Sequence, residues 1–278
     1  MDYRRILTIQ DISCLGQCSM TVALPILSAC GQETVILPSA VLSTHTGGFS
    51  FPHIRDLTND LPSVQAHWQA EKVAFDAIYT GYLGSTRQID MVIDIFDTMC
   101  VPGGKIIIDP AMADHGKLYA GFDQAYVDAM KTLCAKADVL LPNLTEACLL
   151  TDTPYEDRYD EAFLAPVLEK LLALGCKQIV LTGYSQAAGQ TGVLIADRDH
   201  RYVYSHARLG RGFHGTGDAF ASAFVGSWIG GKSMEEAAGI AADFICRCIE
   251  NTIGDEGHWY GVKFETALPY LIHRLYEA

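Results

Sequence analysis

Residues 214–224, HGTGDAFASAF, place two glycines and an aspartate directly before a run of small and aromatic residues. A helix beginning near Thr216 would present unpaired N–H groups and a partial positive charge, which together attract an anion. Gly215 and Gly217 would let the backbone approach that anion closely. Asp218 then has two interpretations. It is either an acid that stabilises the helix dipole by about 1 kcal/mol, or a general base that accepts an alcohol proton while the amides stabilise a transferred phosphoryl group.

The elements that would position this turn follow an alternating α/β pattern. Nearly all the predicted strands are continuous apolar runs that end in Gly, Pro, Asp or Asn, as is typical of strands buried on both faces of a parallel sheet. These runs are residues 5–10, 34–39, 76–83, 105–110, 138–143 and 178–183. The pattern predicts one α/β domain over residues 1–278 with a central, mostly parallel sheet.

Helix-length segments lie between several of these strands, at residues 21–30, 85–100 and 160–175. After Gly183 the pattern changes, because residues 191–197 and 201–207 flank a short polar turn and predict an antiparallel hairpin. Two helices are expected to close the chain. One begins near Thr216, and the other follows Ser233, which can form a capping box with Glu236.

Polar residues or glycines stand where the apolar runs stop. In an open parallel sheet, ligands bind outside the carboxyl ends of the strands. Each stop alone is ordinary turn chemistry, but the five together predict a site at this edge. They are Gln10–Asp11, residues 81–84, Asp109–Pro110, Pro142–Asn143 and Thr182–Gly183.

Composition excludes several classes of protein. The chain has 278 residues with 33 acidic and 20 basic side chains, so its formal charge of −13 argues against nucleic acid and anionic membrane surfaces. No apolar run approaches the roughly 18 residues of a membrane span. The nine cysteines form no paired CxxC motif, which favours reduced thiols in a cytoplasmic protein. Neither a P-loop nor a strand-linked GxGxxG fingerprint is present.

Six segments, in order, resemble the pyridoxal kinase branch of the ribokinase-like superfamily. HGTGDAFASAF resembles the superfamily's GxGD turn, and the other five are ILTIQD with Gly16, STHTGG, TGYLGS, IIIDPAMAD and LLPNLTEACLL. The resemblance covers residues 6 to about 225. It implies a three-layer α/β/α sandwich and ATP-dependent phosphorylation of a vitamin B6 hydroxymethyl group. It also implies a homodimer and Mg²⁺, and leaves open a monovalent cation such as K⁺.

The resemblance also implies residue roles. Asp218 would be the catalytic base, and Gly215, Thr216 and Gly217 would donate amides to the γ-phosphate. The residues implied around ATP and the metal are Asn143, Glu146, Asp109, Asp114, Thr182 and Gly183, with Glu146 and Asp109 nearest Mg²⁺. The residues implied around the vitamin ring are Asp11, His45, Thr46 and Tyr82.

One position departs from the family pattern. Members usually carry serine directly after the glutamine of the first strand, whereas this chain has Asp11. A carboxylate favours a donor or cation, such as a protonated ring nitrogen or an exocyclic amine. The substrate therefore stays open between pyridoxal, pyridoxamine, pyridoxine, hydroxymethylpyrimidine and a small sugar. A vitamer-binding protein without catalysis is a further alternative, against which the intact Asp218, Asn143 and Glu146 argue.

Overall fold

The computed structural model describes residues 2–185, 187–210 and 212–276. Its main sheet has nine strands. In chain order these are β1 (Arg5–Leu15), β2 (Glu33–Thr44), β3 (Ile54–Asp56), β4 (Phe75–Thr80), β5 (Cys100–Ile108), β8 (Val139–Leu140), β9 (Gln178–Tyr184), β10 (Gln190–Ala196) and β11 (Arg201–Ala207). A separate two-stranded hairpin consists of β6 (Ala113–Asp114) and β7 (Lys117–Leu118). Every strand predicted from the apolar runs is present.

The strand order is β11-β10-β9-β8-β5-β4-β1-β2-β3. The six strands from β9 to β2 pair in parallel. The strands beyond them, β10 and β11 at one edge and β3 at the other, pair antiparallel. The carboxyl ends of the six parallel strands therefore share one edge, as the site prediction required.

The α-helices in the described residues are α1 (Met20–Ala29), α2 (Leu61–Ala70), α3 (Thr86–Met99), α4 (Gln124–Cys134), α5 (Leu144–Leu150), α6 (Glu161–Leu174), α7 (Thr216–Ile229), α8 (Met234–Thr252) and α9 (Leu268–Tyr276). Side chains of α1, α7, α8 and α9 form the core on one face of the sheet, and side chains of α2 to α6 form the core on the other. The three-layer α/β/α sandwich is confirmed.

Local signals explain several helix boundaries. Ser233 and Glu236 form the predicted capping box at the start of α8, and Gly175 ends α6 with φ 127°. Asn143 and Glu146 form a second capping box at α5, which ties that helix to the end of β8. The sheet edge and the first turn of α5 are thus held in a fixed geometry.

Two predictions need correction. The chain does not close on two helices, because α9 follows α8 and packs Leu271 and Leu275 into the core. The first strand does not stop at Gln10 but continues to Leu15, because Ile12 to Leu15 go on pairing with β2 after a register shift. Asp11 therefore lies within a strand. Among the described residues, no helix is long and apolar enough to cross a membrane.

Candidate active site

The GTGD turn begins α7 with a left-handed residue. Gly215 has φ 73°, and a Cβ built on it would lie 1.5 Å from the carbonyl oxygen of Gln17. Only glycine fits this position without displacing backbone. Asp218 follows in the first turn of α7. The structure thus places a carboxylate and the free N–H groups of a helix N-terminus together, as the general-base interpretation requires.

Asp218 belongs to a group of acidic side chains at the carboxyl edge of the sheet. Burial raises the pKa of Asp218 to about 6, and the nearby charge of Asp11 adds to this. Burial and the charge of Asp218 raise the pKa of Asp109 to about 7. Burial and Asp109 hold the pKa of Glu146 well above its usual range. The four carboxylates therefore form a row of neighbouring charges across the edge, in the order Asp11, Asp218, Asp109 and Glu146. A cation placed among them would be stabilised.

Glu146 is almost completely buried and hydrogen-bonds to three backbone N–H groups. Its Oε1 accepts from Met112 at 3.0 Å and from Ala113 at 3.5 Å, and its Oε2 accepts from Asn143 at 2.9 Å. The Asn143 side chain donates to the Ala113 carbonyl at 2.8 Å. This pair therefore holds the loop after β5, which carries Asp109, against the start of α5.

Thr182, in β9, connects that strand to the residues that precede α5. Its N–H donates to the Pro142 carbonyl at 2.9 Å, and it forms a parallel bridge with Asn143. The neighbouring Gly183 is exposed with φ 70°, and no atom lies within 4 Å of a Cβ built on it. The backbone at this strand end is therefore open to a ligand.

Asp11 is only 4 % exposed. Its Oδ2 accepts a hydrogen bond from the Ser13 hydroxyl at 2.9 Å. Burial raises the pKa of Asp11, while the nearby hydroxyls of Ser19 and Ser13 and the charge of His45 act in the opposite direction. A buried carboxylate close to Asp218 is a suitable partner for a donor or cationic group on a substrate.

His45 is held by backbone groups on both sides of its ring. Nδ1 accepts from the Gly47 N–H at 3.0 Å, so Nε2 carries the proton and donates to the Tyr260 carbonyl at 2.7 Å. Both nitrogens are used within the protein. The ring therefore fixes the geometry of the segment that carries Thr46, and Thr46 itself is exposed beside it.

The C-terminal segment 255–261 packs against this same segment. Trp259 contacts Phe49 with ring centroids 4.6 Å apart, and Tyr260 contacts Phe49 at 6.2 Å. Residues 254–261, GDEGHWYG, are folded and include a 3₁₀ turn over Glu256–His258. This segment also packs beside His45. The contact was not predicted from the sequence, although the run of His258, Trp259 and Tyr260 was a visible signal.

Tyr82 presents an aromatic face next to Asp11, whose charge contributes to raising the pKa of Tyr82 after the larger effect of burial. Phe122 stacks on Tyr82 at 5.5 Å and on Tyr126 at 3.8 Å. Tyr126 donates to the Leu83 carbonyl at 2.7 Å, and this hydrogen bond anchors the stack of three aromatic rings. The sequence did not single out Phe122, because α4 alone gives no sign that its preceding loop reaches Tyr82.

Asp114 lies at the rim rather than inside the group of buried acids. It is exposed at the β6–β7 turn, and its Oδ1 accepts from the His115 N–H at 2.8 Å. Its charge still influences Tyr119 and His214, and His214 directly precedes the GTGD turn. A role for Asp114 near the phosphates stays a prediction.

The residues expected to hold Mg²⁺ fit that ion in chemical type. In the part of the chain that the structure describes, no group of three or more His, Cys, Asp or Glu side chains forms a preassembled metal cluster. Mg²⁺ commonly binds through one or two carboxylates plus waters and substrate phosphates. Asp109 and Glu146 are two hard oxygen donors, and the charge of Asp109 adds to burial in raising the pKa of Glu146. A cation would relieve this repulsion.

The fold is the three-layer architecture of ribokinase-like kinases. Residues 27–261 match the sequence profile of the family described as Phosphomethylpyrimidine kinase. The chain therefore belongs to the phosphomethylpyrimidine kinase family, and the resemblance to pyridoxal kinases is confirmed by its relatives.

Two solved structures are similar over nearly the whole chain. A protein from Bacteroides thetaiotaomicron, provisionally named a phosphomethylpyrimidine kinase and crystallised with pyridoxal, is 37 % identical with a TM-score of 0.91 and coverage of 96 % and 95 %. A pyridoxal kinase from Lactobacillus plantarum is 33 % identical with a TM-score of 0.89 and coverage of 97 % and 96 %.

Curated relatives include both substrate types. A pyridoxine/pyridoxal/pyridoxamine kinase from Bordetella avium is 28 % identical, covering 89 % of this chain and 85 % of the relative. A hydroxymethylpyrimidine/phosphomethylpyrimidine kinase from Bacillus subtilis is 26 % identical, covering 79 % and 80 %. Both relatives are named as kinases, and the substrates in their names differ.

Proposed function

We propose that this protein transfers the γ-phosphate of ATP to the 5′-hydroxymethyl group of a vitamin B6 vitamer. The observation that carries the proposal is Asp218, a carboxylate of raised pKa in the first turn of α7 beside the amides of the GTGD turn. The 37 % identical protein crystallised with pyridoxal supports the choice of substrate.

Each proposed role follows from the position of a side chain. The vitamer ring lies against Tyr82, and Asp11 contacts a donor group on that ring. Asp218 accepts the hydroxymethyl proton as the oxygen attacks the γ-phosphorus in line. The N–H groups of Gly215, Thr216 and Gly217 stabilise the charge on the transferred phosphoryl group.

We propose that the ATP phosphates lie beside Asn143, Thr182 and Gly183, because these three residues are at neighbouring strand ends next to Glu146. Asp109 and Glu146 would hold Mg²⁺, which supplies positive charge against the phosphates. Asp114 at the rim would lie near the same phosphates. We also expect a homodimer, as in the family resemblance, and sedimentation at twice the chain mass would support it.

A hydroxymethylpyrimidine kinase is the second candidate. The family profile and the relative from Bacillus subtilis favour it, and Asp11 could accept from the exocyclic amine of the pyrimidine. The site chemistry is the same in both cases, because each substrate presents a hydroxymethyl group on a flat heteroaromatic ring. The choice depends on what Asp11 and Tyr82 contact.

ADP release from Mg·ATP tests the proposal. Pyridoxal, pyridoxamine, pyridoxine, hydroxymethylpyrimidine and ribose are compared in parallel at matched concentrations. Turnover confined to the pyridines supports the B6 proposal, whereas turnover with the pyrimidine or the sugar alone assigns the protein to another substrate. Vitamer binding without ATP turnover would support the non-catalytic alternative.

Turnover should rise as the pH increases through about 6, because Asp218 must lose its proton to act as the base and burial raises its pKa to about 6. The measurement is kcat at saturating vitamer and Mg·ATP across the range from about pH 5 to pH 8. A kcat that stays constant down to about pH 5, as expected for a carboxyl with the ordinary pKa of 3.8, would contradict a perturbed base.

Asp11→Asn should change substrate preference more than it changes kcat. The variant keeps the shape of the side chain and removes its charge, so kcat/KM for pyridoxamine should fall roughly 10-fold relative to pyridoxal. Asp56→Asn is the matched control, because Asp56 also acts electrostatically on Tyr82 but accepts from Thr58 and lies away from Asp218. Equal losses for both vitamers in the Asp11 variant would contradict charge recognition.

A further inference from the structure

His214 directly precedes the GTGD turn, and its side chain is exposed. The Thr216 hydroxyl donates to the Phe213 carbonyl at 3.1 Å, which ties the residue before His214 to the first residue of α7. The backbone of His214 is therefore anchored one residue from the N–H groups that we assign to the transferred phosphoryl group.

The ring of His214 lies across segment 45–49, which follows β2. A Cβ built on Gly47 would lie 2.7 Å from both Cε1 and Nδ1 of His214. Gly47 has no left-handed φ that would call for glycine, so what sets this position apart is the space that the ring fills. The rings of His45 and His214 are 5.2 Å apart and tilted by 42°. His214 therefore bridges the GTGD turn and segment 45–49.

Of these two histidines, His214 is the one whose nitrogens are available to a ligand. Both nitrogens of His45 are used by the Gly47 N–H and the Tyr260 carbonyl. The ring of His214 makes no hydrogen bond within the described part of the chain. Desolvation of the ring and the nearby His45 lower the pKa of His214. At about pH 7 the ring is therefore neutral, with one N–H donor and one acceptor.

We propose that His214 is a further catalytic residue of the proposed kinase reaction, whose ring N–H donates a hydrogen bond to the phosphoryl group as that group passes from ATP to the hydroxymethyl oxygen. That oxygen forms the new bond to the γ-phosphorus, its proton goes to Asp218, and the bond from the γ-phosphorus to the ADP oxygen breaks. His214 forms no covalent bond and gives up no proton. The inference rests on the proposed function, because it requires a phosphoryl group at the GTGD turn.

The position of the ring between two segments is the reason for this role. Segment 45–49 lies at the carboxyl edge of the sheet, where the His45 N–H donates to the Leu15 carbonyl at the end of β1. Ligands of parallel sheets bind at that edge. The GTGD turn offers the N–H groups that attract phosphate. A ring held against both lies where an acceptor alcohol would meet the phosphoryl group, and negative charge brought there would favour the protonated imidazole, which has two donors.

Substitutions at His214 and Gly47 test this role. His214→Ala removes both ring nitrogens, whereas His214→Gln keeps an N–H donor. Gly47→Ala leaves His214 in the chain but puts a methyl group where the ring lies, so the ring must move. His53→Gln is the matched control, because His53 is also exposed after β2 and its backbone pairs with Ser43.

At saturating Mg·ATP and pyridoxine, kcat should fall by about 100-fold in His214→Ala, as is usual for the loss of one donor to a transition state. We expect a fall of about 10-fold or more in Gly47→Ala and a smaller fall in His214→Gln. His53→Gln should keep kcat within about 2-fold. The double variant of Gly47→Ala and His214→Ala should have the kcat of His214→Ala, because the methyl group then displaces no ring. If the wild type turns over only hydroxymethylpyrimidine, that alcohol and its phosphate replace the pyridoxine pair.

Binding of the product separates a contact with phosphate from a structural role. The inhibition constant of pyridoxine 5′-phosphate is compared with the Kd of pyridoxine, measured by calorimetry. Their ratio should rise by about 10-fold in His214→Ala and stay constant in His53→Gln, because only the phosphate contacts the ring. Thermal unfolding followed by circular dichroism checks each fold. If His214→Ala does not fold, Gly47→Ala should raise the ratio and His214→Gln should not.

Wild-type kcat in His214→Ala would overturn the proposal. An equal rise in both binding constants would also overturn it, since the ring would then only hold segment 45–49 in place. Additive losses in the double variant would contradict the placement of the ring on Gly47 that the proposal needs. Absence of wild-type turnover with every alcohol tested would instead reject the proposed function, so the two failures are distinguishable.

Discussion

Asp218→Asn should lower kcat by about 10²- to 10⁴-fold, the usual contribution of a positioned general base. The amide has nearly the shape of the carboxylate but cannot accept the substrate proton. KM for ATP should stay constant or fall, because the substitution removes a negative charge beside the phosphates. Steady-state ADP release at saturating vitamer, with the concentration of Mg·ATP varied, measures both constants.

Glu235→Gln is the matched control for this substitution. Glu235 is also an acid in the first helical turn, in α8, and it is exposed on the surface. Its loss should leave kcat within about 2-fold, since surface changes away from the site have small effects. If Asp218→Asn kept kcat within about 3-fold of wild type, Asp218 would be only a helix-terminal acid, and the kinase mechanism proposed above would be wrong.

Gly215→Ala should be the most damaging single-methyl substitution in the turn. The added Cβ would lie 1.5 Å from the Gln17 carbonyl oxygen, and alanine would have to adopt φ 73°. We expect the free energy of unfolding to fall by about 1–3 kcal/mol or more. We expect kcat to fall by about 100-fold, because relief of the clash must separate the GTGD turn from the loop that carries Gln17.

Two further glycines separate the causes of this effect. Gly231 has φ 103° but nothing within 4 Å of an added Cβ, so Gly231→Ala measures the conformational cost alone. Gly217 has neither a left-handed φ nor a close neighbour, so Gly217→Ala should leave the unfolding temperature unchanged and raise KM for ATP. If Gly215→Ala were no less stable than Gly231→Ala, close packing against Gln17 would not be important.

Much of the fold could be predicted from the sequence, because local patterns determine it. Strands buried on both faces must be continuously apolar, and the parallel core of the sheet follows from that pattern. Capping at Ser233 and Glu236 is also local, since the partners are three residues apart. Short elements such as β3 have weak local signals and appear only when packed against the core. The helix α9 was missed although its buried Leu271 and Leu275 stand four residues apart, which is a readable helical signal.

The grouping of the candidate site was predictable for a related reason. The carboxyl ends of parallel strands must share one edge, so Asp11, Asp109, Asn143 and Thr182 come together whatever the details of packing. The structure brings them to one edge together with Asp218. Their catalytic and binding roles stay predictions that the experiments above test.

The tertiary structure alone determined how these side chains are used. The Tyr260 carbonyl that binds His45 is 215 residues away in sequence, and Glu146 accepts from N–H groups 34 and 33 residues before it. The Gln17 carbonyl that packs against Gly215 comes from near the other end of the chain. No local pattern encodes such pairings, because they depend on how separate loops approach across the sheet edge. The sequence by itself therefore determined the sheet, its helices and the shared strand edge. Only three-dimensional packing determined which polar atoms on that edge are already occupied and which remain free for a substrate.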